Sequence, residues 1–150
     1  MKQEDIEHEW RCKVLVDANI FLEVELGRSR SKECEEFLTK IMRGEIKAFT
    51  TDVILDSIAF VMEREGVKPA KLRKFLESIL FYEGLTIYSL NLMDKIITTA
   101  LMEDTKLDFD DTSTYFTMKS LGIKEIVSFD KDFDKLPGIK RVEPKDVLRK

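Results

Sequence analysis

Short apolar runs and longer amphipathic stretches alternate along the chain. Residues 13–17, Lys-Val-Leu-Val-Asp, are mostly apolar and stop at an acid; comparable runs occupy 46–50, 85–89 and 125–129, with a shorter one at 140–142. A brief apolar run bounded by polar residues marks a strand buried on both faces. Between these runs the spacing becomes helical. A short helix is expected after Asn19. In 32–43, Cys34, Phe37, Leu38, Ile41 and Met42 follow i, i+3, i+4, i+7, i+8, with Ser29 or Ser31 as cap and Gly44 as stop. A helix from Thr51 or Asp52 to about 65 carries Ile54, Ile58, Val61 and Met62. The next opens at Pro69, buries Leu72, Phe75, Leu76, Ile79 and Leu80, and ends by Gly84. Helical patterns return at 92–103 and 110–121, the latter stopped by Gly122, and Pro137-Gly138 marks a turn before the last strand.

Strands alternating with amphipathic helices build βαβ units, hence an α/β fold with a parallel sheet covered on both faces. The 150 residues suffice for one domain with a core. Residues 1–12 are charged and aperiodic apart from Trp10, so a leader is expected there and a single domain over 13–150. Hydrophobic residues at 43% exclude a disordered chain. A net charge of −4 and a pI near 5.2 lack the footprint of a non-specific nucleic-acid binder, so any such contact requires a local basic face. Cys12 and Cys34 form no motif, which suits a reducing compartment. The single histidine, His8, excludes a histidine-based zinc or copper centre. The absence of an 18-residue apolar run or a signal-peptide pattern predicts a cytoplasmic protein with no membrane partner.

The acids at element junctions carry the candidate chemistry. Asp17 ends the first strand and Asp130 the fourth, so a parallel sheet puts both on its carboxyl edge, where α/β proteins bind ligands. Asp56 lies about one turn into the helix leaving strand two, and Asp110 and Asp111 open the helix leading into strand four. Four distant stretches thus deliver carboxylates to one rim. Gathered carboxylates repel one another and resist ionising together, so a cation is the natural compensator. With neither histidine nor cysteine at hand, Mg²⁺ or Mn²⁺ fits. Such a site activates water for attack on a phosphodiester. Taken singly, each acid has a plainer role. Asp110 or Asp111 would cap a helix, Asp130, Asp132 or Asp134 a turn, and Asp52 is better placed as a cap than as a ligand. Asp17, directly after a buried strand, is the hardest to place otherwise. The run from Asp130 begins like a calcium loop, but Lys135 stands at the glycine position and Arg141 at the final glutamate, which rejects that motif.

In order and spacing, Val16-Asp17-Ala18-Asn19-Ile20-Phe21-Leu22, Thr50-Thr51-Asp52-Val53-Ile54-Leu55-Asp56, Leu107-Asp108-Phe109-Asp110-Asp111-Thr112 and Ile126-Val127-Ser128-Phe129-Asp130-Lys131-Asp132-Phe133 resemble the PIN domain. This is the nuclease fold of VapC-type toxins, and the resemblance covers roughly 13–142. It implies a three-layer α/β/α sandwich with a central parallel sheet of about five strands in the order 3-2-1-4-5. It matches Asp17, Asp56, Asp111 and Asp130 to the family's acidic positions, with Asp17, Asp111 and Asp130 as metal ligands. Asn19, Ser128, Asp132 and Asp110 stand as supporting residues. The family more often has glutamate where this chain has the shorter Asp56.

The resemblance therefore implies an Mg²⁺- or Mn²⁺-dependent endoribonuclease, with Asp56 orienting the metal or the attacking water. Arg28, Arg30 and Lys32, with Lys131 and Lys135, would supply positive charge toward an RNA backbone. A homodimer and an antitoxin partner are also implied. The rival reading is a weakly active or inactive PIN-fold binding module in a toxin–antitoxin or RNA-processing complex. A phosphoacceptor receiver domain ranks far lower, because Asp17 has no adjacent acidic partner.

Overall fold

A computed structural model describes residues 13–149, so the expected leader, with His8 and Cys12, lies outside the described residues. The elements run β1 (Val14–Val16), α1 (Ala18–Glu25), α2 (Ser31–Met42), β2 (Ala48–Thr51), α3 (Asp52–Arg64), α4 (Pro69–Ile79), β3 (Leu85–Tyr88), α5 (Leu92–Thr105), α6 (Phe109–Leu121), β4 (Glu125–Val127), a 3-10 turn (Lys131–Lys135), β5 (Lys140–Val142) and α7 (Pro144–Leu148). All strand pairs are parallel, in the expected order β3-β2-β1-β4-β5.

The central strand explains its own composition. Val14, Leu15 and Val16 are buried and pair with β2 on one side and β4 on the other. A strand enclosed on both faces needs an uninterrupted apolar run. The chain leaves β1 for one flank of the sheet and returns from β3 to β4 through α5 and α6. That crossover puts the switch point between β1 and β4, and α/β sheets bind ligands at the carboxyl edge of such a point.

The core draws on β1, β4 and the inner stripes of the helices. Phe37 and Ile41 come from α2, Ile54, Ile58 and Met62 from α3, and Met118 from α6. Gly84 lacks a side chain for a definite reason: a Cβ there would lie 2.2 Å from the Ile46 carbonyl oxygen. Its N–H instead donates to the Ile41 carbonyl, pinning the start of β3 to the end of α2.

The structure corrects several expectations. Neither serine caps α2; Arg30 holds that position without a side-chain cap, and its backbone N–H donates to the Glu23 carboxylate. In α4 only Phe75 and Ile79 are buried, whereas Leu80 is 82% exposed, because the helix ends at Ile79 and Leu80 is its cap. On α5, Leu92, Met93, Ile96 and Ile97 form a stripe that faces solvent beside the edge strand β3. Helix α7 was not expected, since five residues are too few to show a helical period.

Candidate functional site

The β1–β4 corner is a closed hydrogen-bond network. Asp17 follows β1 directly, and its N–H still donates to the Val127 carbonyl at 3.1 Å, so the ladder fixes its backbone. Its side chain is 8% exposed and caps α1, Oδ1 accepting from the Ala18 N–H at 2.8 Å. Oδ2 accepts from the Ser128 hydroxyl at 2.6 Å and from Asn19 Nδ2 at 3.0 Å. Ser128, fully buried, also accepts from Asn19 Nδ2 and from the Asp130 N–H at 3.0 Å. One hydroxyl thus ties the strand-one acid to the strand-four acid. Asp130 in turn caps the 3-10 turn, accepting from the Asp132 N–H at 2.9 Å.

The α3–α6 corner is built differently. Asp108, not Asp110 or Asp111, caps α6, accepting from the Asp111 N–H at 2.8 Å. Both following carboxylates are therefore released from capping. Asp111 joins Asp130 and Asp132 in a cluster whose carboxylate oxygens lie within 4.8 Å of one another. Asp110 turns toward α3 and accepts from the Ser57 hydroxyl at 2.6 Å. Asp56, one residue earlier on α3, is exposed. The cap of α3 is Thr51, whose hydroxyl accepts from the Ile54 N–H at 3.0 Å, and not Asp52, which opens the helix with its Oδ1 accepting from the N–H groups of Val53 and Leu90.

Burial and mutual repulsion show in the acidities. Burial pushes Asp17 up to about 6, against the opposing pull of its bonds to Ser128 and Ala18, and the charges of Asp110 and Asp130 push the same way. Burial again leads at Asp111, raised to about 7, with Asp108, Asp17, Asp130 and Asp110 adding to it. Asp110 is also raised by burial, with Ser57 opposing and Asp108 adding. These carboxylates resist ionising together, and their donors are all oxygen. The set fits a hard divalent cation such as Mg²⁺ or Mn²⁺.

Behind the β4 loop stand two guanidinium groups. Arg141 on β5 donates from Nε and Nη2 to the two oxygens of Asp134, and from Nη1 to the Ser128 carbonyl at 3.1 Å. Arg30 lies over the Phe129 ring at 3.9 Å and pairs with Glu33 and Glu143, each at 2.6 Å. Glu143 also faces Arg141 at 3.7 Å. The segment carrying Asp130 and Asp132 is thus braced from the rear. Arg30, expected to face RNA, spends its contacts inside the protein. Arg28, Lys32, Lys131 and Lys135 are exposed, Lys135 pairing with Asp132 at 3.2 Å.

Ser57, Asp108, Arg141 and Glu143 had no place in the sequence reading of the site. Asp108 carried a signal, an acid three residues before Asp111 at a helix start. Ser57 and the Arg141 pairs depend on tertiary contact and left none.

The chain matches the PIN domain family model over residues 14–139. No curated protein matches it. Among solved structures, VapC20 of Mycobacterium tuberculosis, a sarcin-ricin loop cleaving toxin, superposes with TM-score 0.70 at 15% identity, covering 87% of this chain and 99% of its own. A toxin–antitoxin complex from Klebsiella pneumoniae gives TM-score 0.63 at 16% identity, covering 87% of this chain and 97% of its own. At such identities the likeness carries the fold.

Proposed function

The chain belongs to the PIN domain family, and on that premise we propose that it is a divalent-metal-dependent endoribonuclease that hydrolyses RNA phosphodiester bonds. The observation that carries this reading is the convergence of Asp111, Asp130 and Asp132 within 4.8 Å, beside a buried Asp17 whose hydroxyl and amide partners hold it at the rim. Asp17, Asp111 and Asp130 would hold the cation, with Asp132 in the same group as Asp111 and Asp130. When bound, Mg²⁺ or Mn²⁺ supplies activation of water and neutralises charge on the leaving oxygen. Ser128 and Asn19 fix the Asp17 carboxylate by bonding one of its oxygens. No protein nucleophile is assigned; the thiol of Cys34 is buried, and desolvation pushes it up to about 12. Arg28, Lys32 and Lys131 are the exposed cations offered to an RNA backbone.

RNA cleavage tests the reading, comparing Mn²⁺ with EDTA and the parent with Asp17→Asn. Cleavage that survives either change overturns the metal mechanism.

The reading extends to a cytoplasmic toxin with an antitoxin and to a homodimer. No helix among the described residues is long and apolar enough to cross a membrane. The Klebsiella complex supports an antitoxin partner, and a small DNA-binding-protein gene beside this one is the expected observation. The solvent-facing stripe of Leu92, Met93, Ile96 and Ile97 supports a dimer face. Sedimentation checks it: the parent should run as a dimer and Ile96→Asp as a monomer, and a monomeric parent ends the idea.

The exposure of Asp56 favours a second reading, a PIN-fold module that binds without cutting. Calorimetry separates the two, because a domain that neither binds Mn²⁺ nor gains thermal stability from it is not a metal-dependent nuclease.

A further inference from the structure

We infer that the cavity beside the acidic rim, between the end of α5, the second turn of α6 and Leu136-Pro137, receives one unpaired base of the RNA, flanking the phosphate that is cut. The inference rests on the nuclease reading above and adds a base site to it.

The cavity measures about 300 Å³, at the lower end of the range for ligand sites. Each of its three walls lies one step from the group of Asp111, Asp130 and Asp132. On α6, Tyr115 stands four residues after Asp111, hence on the same face and one turn, about 5.4 Å, further along. Its hydroxyl donates to the Pro137 carbonyl at 2.9 Å, so this face of α6 meets the segment that follows the 3-10 turn. From that turn, Lys135 lines the cavity while its Nζ lies 3.2 Å from Asp132 Oδ1. At the end of α5, the Thr105 hydroxyl shares a hydrogen bond of 3.0 Å with that of Thr112, the neighbour of Asp111. A phosphate held at the carboxylates therefore brings its adjoining base to this cavity.

The lining suits a base better than a second phosphate. Leu101, Tyr115, Leu136 and Pro137 offer apolar contact to a ring. Asp104, exposed at the mouth, repels a phosphate but accepts from an amino or ring N–H. Lys135 has three donors, of which Asp132 takes one, and another is free for a carbonyl oxygen or ring nitrogen of the same base edge. Unpaired bases are read in this way, by donors and acceptors set against their edges. The hydroxyls of Tyr115 and Thr105 are already bonded within the protein, so discrimination falls to Asp104 and Lys135.

A plainer role exists: the cavity could be only a gap where α5 passes the loop. The two differ in what sequence the enzyme cuts. In the full chain with Mn²⁺, cuts in single-stranded RNAs of randomised sequence are mapped for the parent, Asp104→Asn, Leu101→Trp and Glu103→Gln. The parent's cuts should carry one base at one fixed position beside the cut, favoured at least about tenfold over the others. Asp104→Asn puts an amide donor where one acceptor oxygen stood, so it should change the preferred base or bring the preference within about twofold. Leu101→Trp fills the cavity and should flatten the preference and raise KM about tenfold, with Mn²⁺ affinity by calorimetry retained. Glu103 is exposed and outside the lining, so Glu103→Gln should keep the parental preference. Asp104 is exposed as well, so its variant folds even where the tryptophan does not. A parent with no base preference beside the cut, an Asp104→Asn variant that keeps the parental one, or a Glu103→Gln variant that shifts it as much overturns the base site while the nuclease stands. If the parent does not cut RNA with Mn²⁺, the nuclease reading itself fails and the inference with it.

Discussion

The two corners of the acidic rim are made by different means. At the β1–β4 corner, strand ladders set the backbone of Asp17 and Ser128, and Ser128 joins Asp17 to Asp130 through one buried hydroxyl. At the α3–α6 corner, helix starts carry the acids, and which acid faces inward depends on rotation about the helix axis. A strand alternates faces with a period of two and cannot drift while its partners hold it. A helix turns about 100° per residue, so a neighbour one position away points elsewhere. Strand-borne ligands are thus specified by pairing, and helix-borne ones by whatever packs against the helix.

The largest expected effect falls on the paired corner. Asp17→Asn removes a carboxylate with no neighbour on β1 to replace it; its amide oxygen can still accept from the Ala18 N–H, but a nitrogen then replaces the oxygen that accepted from Ser128 and Asn19. RNA cleavage should fall by about 100-fold or more. Asp130→Asn should behave alike, and an Asp130→Asn variant retaining near-parental activity would break the symmetry claimed for β1 and β4.

Ser128→Ala comes next. It deletes the donor to Asp17 and the acceptor for the Asp130 N–H, freeing two ligands at once. Mutations of groups that orient metal ligands cost about 10–100-fold in affinity or activity. Mn²⁺ titration should show a loss in that range, larger than for Ser57→Ala, whose hydroxyl orients one acid only. Equal losses would mean that the corners are equally tolerant.

Arg141→Ala should act more weakly, by up to about tenfold on kcat with KM little changed. Its fork spans Asp134 and the Ser128 carbonyl. Lysine offers no such planar fork, so Arg141→Lys should fail to restore the rate. Hydrogen exchange at the amides of 128–134 should quicken in both variants. Unchanged exchange together with unchanged kcat would remove the brace from the site's description.

The same contrast governs what the sequence discloses. The rim positions of Asp17 and Asp130 follow from short apolar runs ending in acids, because pairing leaves little freedom, whereas the strand order came with the resemblance to the PIN domain. Asp110 and Asp111 were legible as a pair, but not which of them caps the helix; the cap is Asp108, whose competing N–H partner becomes apparent only once the start of α6 is fixed. The outward stripe of α5 has the spacing of a core stripe, and periodicity does not say which apolar faces meet the sheet. Arg30 read as an RNA contact because its partners Glu143 and Phe129 lie about a hundred residues away.

The smallest effect separates the corners by acidity. Without a cation, burial pushes Asp17 up to about 6 and Asp111 up to about 7, against about 4 for an unfolded carboxylate. Between those values the native state holds protons that the unfolded chain has lost. Stability therefore falls as pH rises from about 4 through 7, the sign opposite to that of a salt-bridged acid. In EDTA the melting temperature should drop by roughly 5 °C from pH 5 to pH 8. Asp111→Asn should flatten that slope more than Asp17→Asn, because its shift is larger and its window extends further toward neutral pH. The ordering also has a structural cause: Asp17 has Ser128 and Ala18 donating to its ionised form, whereas Asp111 is raised by burial and four neighbouring charges. If Asp17→Asn flattens the slope more, the strand corner is the more strained of the two when metal-free, and its hydrogen bonds do less for the carboxylate than their lengths imply.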